Sequence, residues 1–248
     1  MSDRGWALVT GAGHRIGAAL ALTAANTGFD ILVHHRASPD EAAAMAERIE
    51  GLGRRAQPAA ADLANPAACR RLIAAAPGPL TLLVNSASLF EPDSAESLDV
   101  DLYERLMAVN LRAPLVLAQA MAAALPEGRD GQIVNITDQR VWRLTPRYFS
   151  YTLSKSALWT ATQTLAQALA PRIRVNAIGP GPTLASIHQS QAGFAAQQAA
   201  MPLGRGPTPE EIAAALAYLI DAPSVTGQMI AVDGGQHLSW RTPDTDHD

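Results

Sequence analysis

Tyr151 and Lys155 lie four residues apart in a long stretch with helical periodicity, so their side chains share one face of the expected helix. Tyrosine, with an ordinary pKa of about 10, transfers protons poorly at neutral pH unless a nearby cation lowers that pKa. Lys155, the single lysine of the chain, supplies the cation and can also donate to ribose hydroxyls. Tyr148 has Thr152 four residues later and lacks a cation. We therefore predict that Tyr151 is an acid–base group; an ordinary helix pair is the alternative.

A glycine-rich turn, TGAGHRIG over residues 10–17, separates the first apolar run from a helical pattern. Glycines let the backbone turn tightly and approach a pyrophosphate, which sits at the positive end of the following helix. A strand before the turn and a helix after it are the context that this role requires. We predict that Gly11, His14, Arg15 and Ile16 bind a dinucleotide; a purely structural turn is the alternative.

The end of the second apolar run decides which dinucleotide is bound. NAD sites place a carboxylate there for the ribose hydroxyls, whereas NADP sites place cationic groups against the 2′-phosphate. Between the end of this run at His35 and Asp40 no residue is acidic, while Arg36 offers a planar donor fork and Ser38 a hydroxyl. We predict NADPH/NADP+ as the cofactor, bound here by His35, Arg36 and Ser38; a solvated surface arginine is the alternative. His34 and His35 are interpreted as a strand end, and no metal is predicted, because no third ligand has suitable spacing.

Pro114 follows Asn110 by four residues in a stretch, 100–124, that is predicted to be one helix. Proline has no N–H, so the carbonyl of Asn110 loses its helical partner. A freed carbonyl that faces a cleft can hold a water linking Lys155 to solvent. We therefore place Asn110 in a proton relay; a kink bonded to bulk water is the alternative.

Short apolar runs that alternate with longer helical patterns must position these residues. Strands are predicted over 6–10, 30–35, 55–61, 80–85, 132–137, 172–178 and 228–233, and helices over 14–27, 40–52, 66–76, 100–124, 149–170, 186–200 and 209–221. Such alternation predicts an α/β fold of Rossmann type, with three layers and a doubly wound parallel sheet of about seven strands. We predict a single domain over residues 1–240, a polar tail over 241–248 and a mobile lid over 183–206.

The composition excludes several classes of function. Hydrophobic residues make up 48% and charged residues 17% of the chain, so it is neither disordered nor a charged binding tail. The net charge of −4 gives no general attraction to nucleic acid or to an anionic membrane. A single cysteine, Cys69, excludes an internal disulfide. The sequence opens on no signal-peptide pattern, and arginines interrupt the apolar helices before they reach a membrane span, so we expect a cytoplasmic protein.

The order of the motifs resembles the short-chain dehydrogenase/reductase family from the first strand through Gly235. The motifs are the glycine turn, Asp62 with Leu63, Asn85-Ser86-Ala87, Asn110, Tyr151 with Lys155, Pro180 with Gly181, and the closing VTGQMIAVDGG. The resemblance implies that Tyr151 is the proton donor, and that Lys155 holds the ribose and lowers the tyrosine pKa. It also implies the proton relay through Asn110. The further cofactor contacts that it implies are Asp62 and Leu63 beside the adenine, Asn85 and Ala87 along the cleft, Pro180 and Gly181, and Thr183 at the nicotinamide end.

Two residues depart from the general pattern of that family. Its members usually have a serine thirteen residues before the tyrosine, donating to a carbonyl oxygen, and here Asp138 has that spacing. An ionised carboxylate opposes the charge on a developing alkoxide but favours protonation of the nitrogen in a C=N bond. Thr137 could supply a hydroxyl instead, although adjacent strand residues point to opposite faces. Arg15 stands where the family usually has glycine, and can reach both a phosphate and the substrate.

With Ser88 and Phe90 after the fourth strand, these departures resemble the pteridine reductases and the dihydromonapterin reductases. The resemblance implies a pterin between the nicotinamide and Phe90, with Arg15, Ser88, Asp138 and Tyr151 at its polar edge. Offset stacking on a flat heterocycle suits an aromatic ring; a hydrophobic loop anchor is the alternative for Phe90.

The function predicted from these residues is an NADPH-dependent reductase that transfers a hydride to a pterin or dihydropterin ring. Tyr151, assisted by Asp138, would protonate the adjacent nitrogen. The alternatives are an NADP-dependent reductase of another carbonyl or imine, and a non-catalytic NADP-binding regulatory protein, which has no need for an acid–base set. The family resemblance also implies a homotetramer packed through the helix at 149–170, whose small residues form a stripe that could instead face the sheet: Ala157, Ala161, Thr164 and Ala168.

Overall fold

A computed structural model describes residues 4–186 and 189–240 of the chain. Seven parallel strands form one sheet in the order β3-β2-β1-β4-β5-β6-β7. The strands are β1 (Trp6–Val9), β2 (Asp30–His35), β3 (Ala56–Ala60), β4 (Leu80–Asn85), β5 (Gly131–Ile136), β6 (Ile173–Pro180) and β7 (Met229–Val232). The strand order reverses between β1 and β4, so a crevice opens at the carboxyl ends of these two strands. The predicted doubly wound sheet is confirmed.

Helices cover both faces of this sheet. They are α1 (Arg15–Asn26), α2 (Pro39–Glu50), α3 (Pro66–Ala74), α4 (Val100–Met107), α5 (Ala113–Ala124), α6 (Phe149–Leu169), α7 (Gln191–Ala199) and α8 (Pro209–Ile220). Along β1, Ala7 and Val9 join a buried cluster with α1 and α8, whereas Trp6 and Leu8 join a second cluster with α3 and α5. Because both faces of the central strands are buried, those strands are nearly continuous apolar runs. The three-layer Rossmann-type α/β prediction is confirmed.

The strand β3 lies at one edge of the sheet and pairs with β2 alone. It contains Pro58, which has no N–H to donate and is tolerated where one side of a strand is unpaired. At the other end of the sheet, β6 continues two residues beyond its predicted end at 178, to Pro180. That extension carries the backbone to the mouth of the crevice.

The predicted single helix over 100–124 is wrong in detail, because a π-helical turn (Ala108–Arg112) separates α4 from α5. The N–H of Ala113 donates to the carbonyl of Ala108, five residues earlier. Pro114 has no N–H for the normal helical bond, and the wider turn absorbs the mismatch. By length and hydropathy alone, Val100–Ala124 could cross a membrane, contrary to expectation, but Leu106 and Leu117 on it are fully buried in the domain.

The segment predicted to form a lid carries one helix at the surface of the domain. Its helix α7 begins at Gln191 rather than at 186, where the Ser190 hydroxyl accepts a hydrogen bond from the N–H of Gly193 at 3.1 Å. None of the α7 residues is buried. The predicted tail over 241–248 lies outside the described residues.

Candidate active site

Asp138 and Tyr151 form a hydrogen-bonded pair at the carboxyl end of the sheet. Asp138 follows β5 and Tyr151 lies in the first turn of α6. The Tyr151 hydroxyl donates to Asp138 Oδ2 at 2.8 Å, and the N–H of Arg140 donates to Asp138 Oδ1 at 2.8 Å. The side chain of Asp138 is 19% exposed. The thirteen-residue spacing therefore brings together the two groups expected to act on the substrate.

Lys155 lies one helical turn after Tyr151 and is 2% exposed. Its Nζ donates to the carbonyl oxygen of Ile136 at 2.7 Å and lies 5.8 Å from the centre of the Tyr151 ring. Burial lowers the pKa of Lys155 from 10.5 to about 8, despite the opposing attraction of Asp138. The ammonium group thus sits beside the tyrosine but points to the end of β5.

The pKa of Tyr151 is raised well above its ordinary value, first by burial and then by the charge and hydrogen bond of Asp138. The charge of Arg140 opposes this rise only in part. The expectation that Lys155 lowers the tyrosine pKa is therefore wrong for the net shift, because burial and a carboxylate at hydrogen-bond distance dominate. Burial also raises the pKa of Asp138, outweighing the N–H and charge of Arg140 and the hydroxyl of Tyr151. Both members of the pair consequently hold their protons more tightly than free side chains.

Asp93, which the sequence analysis did not single out, fixes the start of α6. Its carboxylate accepts from the N–H of Ser150 at 3.0 Å and from the Ser150 hydroxyl at 2.5 Å. Its backbone carbonyl accepts from the N–H of Tyr148 at 3.1 Å. A carboxylate at a helix N-terminus satisfies free N–H groups and complements the helix dipole. The loop after β4 thereby positions the helix that carries Tyr151.

Tyr148 covers the ring that was expected to stack on substrate. The rings of Phe90 and Tyr148 are parallel with centres 4.2 Å apart, and Phe90 meets Tyr151 edge-on at 4.7 Å. The guanidinium of Arg140 lies 5.6 Å from the Phe90 ring and 5.0 Å from the Tyr148 ring. Tyr148 has a φ of 57°, a left-handed conformation that few side chains adopt. The sequence does not predict a role for Tyr148, because no cation follows it one helical turn later and its unusual backbone conformation gives no signal in the sequence.

Asn110, in the π-helical turn, ties the loop after β4 to α6. Its Oδ1 accepts from the N–H of Leu89 at 2.8 Å and from the Ser88 hydroxyl at 3.2 Å. Its Nδ2 donates to the Leu89 carbonyl at 2.9 Å and to the Ser154 hydroxyl at 3.1 Å. The Asn110 side chain is therefore occupied in positioning Ser88, so any proton relay must use its backbone carbonyl.

Two polar residues beside the site use their side chains for hydrogen bonds within the domain. The Thr137 hydroxyl donates to the carbonyl of Ile178 at 2.9 Å. It therefore does not replace the missing serine, in agreement with the strand alternation. The Asn85 Nδ2 donates to Asn135 Oδ1 at 2.8 Å, and Asn135 in turn donates to Thr162 at 2.9 Å. The prediction that Asn85 lines the cofactor cleft is corrected, because its side chain belongs to this buried network between β4, β5 and α6.

The glycine turn is held by His34, which the sequence analysis considered only as a strand end. The N–H of Gly11 donates to His34 Nδ1 at 3.0 Å, and His34 Nε2 lies 3.1 Å from the carbonyl of Ala61. Burial lowers the pKa of His34 to about 4, so the ring is neutral with its proton on Nε2. A Cβ on Gly17 would overlap the carbonyl oxygen of Gly11, so glycine is required where α1 meets the turn. The turn is thus a fixed backbone cradle.

Arg15 takes a left-handed conformation, with a φ of 55°, at the position where the family usually has glycine. Its guanidinium donates to the carbonyls of Leu184 and Ala185 at 3.2 and 3.3 Å. It therefore links the glycine turn to the segment after β6. His14, beside it, is exposed at the cap of α1.

A single cleft of about 1020 Å³ joins these features. The predicted site residues on its wall are Gly11, His14, Arg15, Ile16, His35, Arg36, Ser38, Asp62, Leu63, Ala87, Ser88, Phe90, Asp138, Tyr151, Lys155, Pro180, Gly181 and Thr183. Asn85 and Asn110 are the predicted site residues that this wall does not include. No group of three metal-binding side chains occurs among the described residues.

The residues of this cleft fit a dinucleotide phosphate. Arg36 is exposed at the end of β2, and its guanidinium has no hydrogen-bond or ion-pair partner among the described residues. His35 beside it has a buried Nδ1 without a partner in that same part of the chain. No carboxylate occupies the end of β2, where an NAD site would need one. Free cationic and donor groups at this point suit a 2′-phosphate.

Residues 11–237 match the family described as Enoyl-(Acyl carrier protein) reductase. The chain therefore belongs to the short-chain dehydrogenase/reductase family and is an NADP-dependent oxidoreductase. An uncharacterized oxidoreductase of Methylorubrum extorquens is 37% identical over 243 residues, covering 92% of this chain and 96% of the relative.

Two solved structures resemble the chain still more strongly. FolM Alternative dihydrofolate reductase 1 from Brucella suis, in complex with NADP, is 52% identical with a TM-score of 0.92, covering 96% of this chain and 97% of that one. The protein of the same description from Brucella canis, complexed with NADP, is 50% identical with a TM-score of 0.91, covering 98% of both chains. These two NADP-bound structures confirm the predicted NADP cofactor and the predicted resemblance to the pteridine reductases.

Proposed function

We propose that the protein is an NADPH-dependent reductase that transfers a hydride to a pterin or dihydropterin ring. The observation that carries this proposal is the 2.8 Å hydrogen bond between the Tyr151 hydroxyl and Asp138. Similarity to the two FolM alternative dihydrofolate reductases supports the same substrate class.

The charge of Asp138 favours a nitrogen over an oxygen as the proton acceptor. A ketone becomes an alkoxide when it accepts hydride, and a carboxylate nearby would raise the energy of that anion. A C=N group is activated by protonation of its nitrogen, and a neighbouring carboxylate stabilises the resulting cation. Because the Thr137 hydroxyl already donates to the carbonyl of Ile178, it does not take the place of the missing serine.

NADPH supplies the hydride. Tyr151 holds its proton firmly because its pKa is raised, which suits a donor in the reductive direction, and Asp138 orients that hydroxyl. We propose that Lys155 binds the nicotinamide ribose and replaces the proton on the pair. The Asn110 carbonyl, which Pro114 deprives of its helical partner, would hold the water that returns a proton to Lys155.

The other predicted contacts complete the proposed site. The cofactor is bound by Gly11, His14, Arg15, Ile16, His35, Arg36, Ser38, Asp62, Leu63, Ala87, Pro180, Gly181 and Thr183, all on the cleft wall. Arg15 and Ser88 contact the polar edge of the pterin. Phe90 stacks on its ring.

The test is NADPH oxidation with 7,8-dihydrobiopterin, dihydromonapterin and a panel of ketones, followed by the loss of absorbance of the reduced cofactor. We expect turnover of a pterin, and we expect Asp138→Ser to lose most of it while gaining activity on ketones. Good turnover of a ketone with none of any pterin would favour an NADP-dependent reductase of another carbonyl or imine. Tight NADPH binding without turnover of any substrate would instead favour the non-catalytic regulatory protein.

We propose that the protein acts in the cytoplasm as a homotetramer. The small-residue stripe on α6 does not face the sheet, since Ala157 and Ala161 are half-buried while Thr164 and Ala168 are exposed. An exposed stripe of small residues lets two helices approach closely. Light scattering at several protein concentrations would test the assembly.

A further inference from the structure

Two arginines on the cleft wall have no role in the reaction described so far. Arg143 and Arg147 are exposed residues between Asp138 and α6, and both line the cleft. Neither guanidinium has a hydrogen-bond or ion-pair partner among the described residues. We propose that Arg143 and Arg147 bind an anionic tail, a carboxylate or a phosphate, carried by the substrate. This inference rests on the proposed pterin reductase function and adds to it the charge of the substrate.

The position of these arginines separates them from the cofactor phosphates. The segment over residues 139–148 directly follows Asp138 and ends at Tyr148, which stacks on Phe90. It therefore borders the reacting end of the cleft. The 2′-phosphate is expected at the opposite end, at Arg36. Arg143 and Arg147 are therefore placed to meet whatever part of the substrate extends outward from the ring.

The segment that carries the two arginines is held in place over the site. Arg140 donates to the carbonyl of Arg147 at 3.4 Å, and the Thr145 hydroxyl donates to the same carbonyl at 3.3 Å. Arg140 also packs on the rings of Phe90 and Tyr148. The backbone is thus tied to the aromatic wall while the two outer guanidinium groups remain free to bind.

The charge around this opening is opposite to that of the whole chain. The net charge is −4, yet residues 139–149 and 183–206 contain no aspartate or glutamate. Among the described residues of the cleft wall, the carboxylates are Asp62 and Asp138; the first lies beside the expected adenine and the second binds Tyr151. The same wall also has the neutral Gln189 and Gln197, whose side chains bond to each other at 2.8 Å. An anion entering here meets cations and neutral amides, and guanidinium forks match carboxylate and phosphate oxygens.

The experiment compares substrates that share a ring and differ in the tail. The kcat/KM for 7,8-dihydrofolate, whose tail has carboxylates, and for 7,8-dihydroneopterin monophosphate would each be divided by that for 7,8-dihydrobiopterin, whose tail is neutral. In Arg143→Gln and Arg147→Gln we expect the ratio to fall about threefold each, and about tenfold in the double variant, as for partly exposed ion pairs. Added salt should lower the wild-type ratio as well. A fall with dihydrofolate alone identifies a carboxylate tail, and a fall with the monophosphate alone identifies a phosphate tail.

Arg48→Gln is the matched control, because Arg48 is an exposed arginine on α2 that does not line the cleft. It should leave both ratios unchanged. Turnover of all three dihydropterins with unchanged ratios in the double variant would overturn this inference and leave the proposed function standing. A rise in the KM for NADPH that accounts for the loss would also overturn it, by assigning the arginines to the cofactor. Absence of turnover with every dihydropterin would overturn both proposals.

Discussion

Replacing Lys155 with methionine should stabilise the cofactor-free protein while abolishing its activity. A tenfold change in proton affinity corresponds to about 1.4 kcal/mol. The fall of the Lys155 pKa from 10.5 to about 8 therefore means that folding penalises the charged form by about 3 kcal/mol relative to the neutral form. At 2% exposure, solvent screens this penalty very little.

Methionine fills nearly the same volume without the charge, but it leaves the Ile136 carbonyl without its donor. That loss costs about 1 kcal/mol, so the net gain at pH 7 is about 2 kcal/mol. For a chain of this size the gain corresponds to a rise in Tm of about 4–8 °C. Activity should disappear, because the ribose contact and the proton source are both removed.

The pH dependence of folding stability provides an independent check that Lys155→Met is stabilising at pH 7. The folded pKa of Lys155 lies below the unfolded value, so the unfolded chain binds more protons between pH about 8 and 10.5. Wild-type stability therefore rises with pH through that window, and the advantage of Lys155→Met, complete below about pH 8, disappears as pH approaches 10.5. Thermal denaturation at pH 7 and pH 10, at one protein concentration, measures both effects.

Lys155→Arg keeps the charge and should show no gain. A lower Tm for Lys155→Met than for wild type at pH 7 would refute the reasoning, since the attraction of Asp138 would then outweigh the cost of burial.

Two further substitutions test the cofactor end of the cleft. Arg36→Asp should lower kcat/KM for NADPH by about 100-fold and improve the use of NADH, because charge-assisted hydrogen bonds of about 1.5–3 kcal/mol each are lost and a carboxylate faces the phosphate. The control Arg48→Asp should change neither value. An unaltered cofactor preference in Arg36→Asp would show that Arg36 does not bind the cofactor. Gly17→Ala should destabilise the protein by about 1–3 kcal/mol and raise the KM for NADPH, because the new methyl group displaces the Gly11 carbonyl. Gly51→Ala, at a helix end with a φ of −60°, is the control and should be neutral or slightly stabilising in the same melting experiment.

Local spacing accounts for what could be predicted from the sequence. The strand–turn–helix pattern around Gly11, and the four-residue spacing of Tyr151 and Lys155, encode geometry within a few residues, and the structure reproduces both. The contact between His34 and Gly11 joins residues 23 positions apart, and a polar residue at the end of an apolar run gives no sign of the partner that it finds. Asn85 shows the converse, since a polar residue next to a cleft can turn into the core when Asn135 offers a buried partner.

The sign of the tyrosine pKa could not be predicted because it depends on burial, which local sequence does not contain. The spacing of Tyr151 and Lys155 places a cation nearby, but the cation donates to the Ile136 carbonyl and the carboxylate of Asp138 lies closer to the hydroxyl. The same burial also explains why the position holds a lysine in a chain that otherwise uses arginine. An ammonium can have its pKa lowered to about 8 and can then exchange a proton near neutral pH. A guanidinium, which is not deprotonated in proteins, would remain charged and could not return a proton to the Asp138–Tyr151 pair.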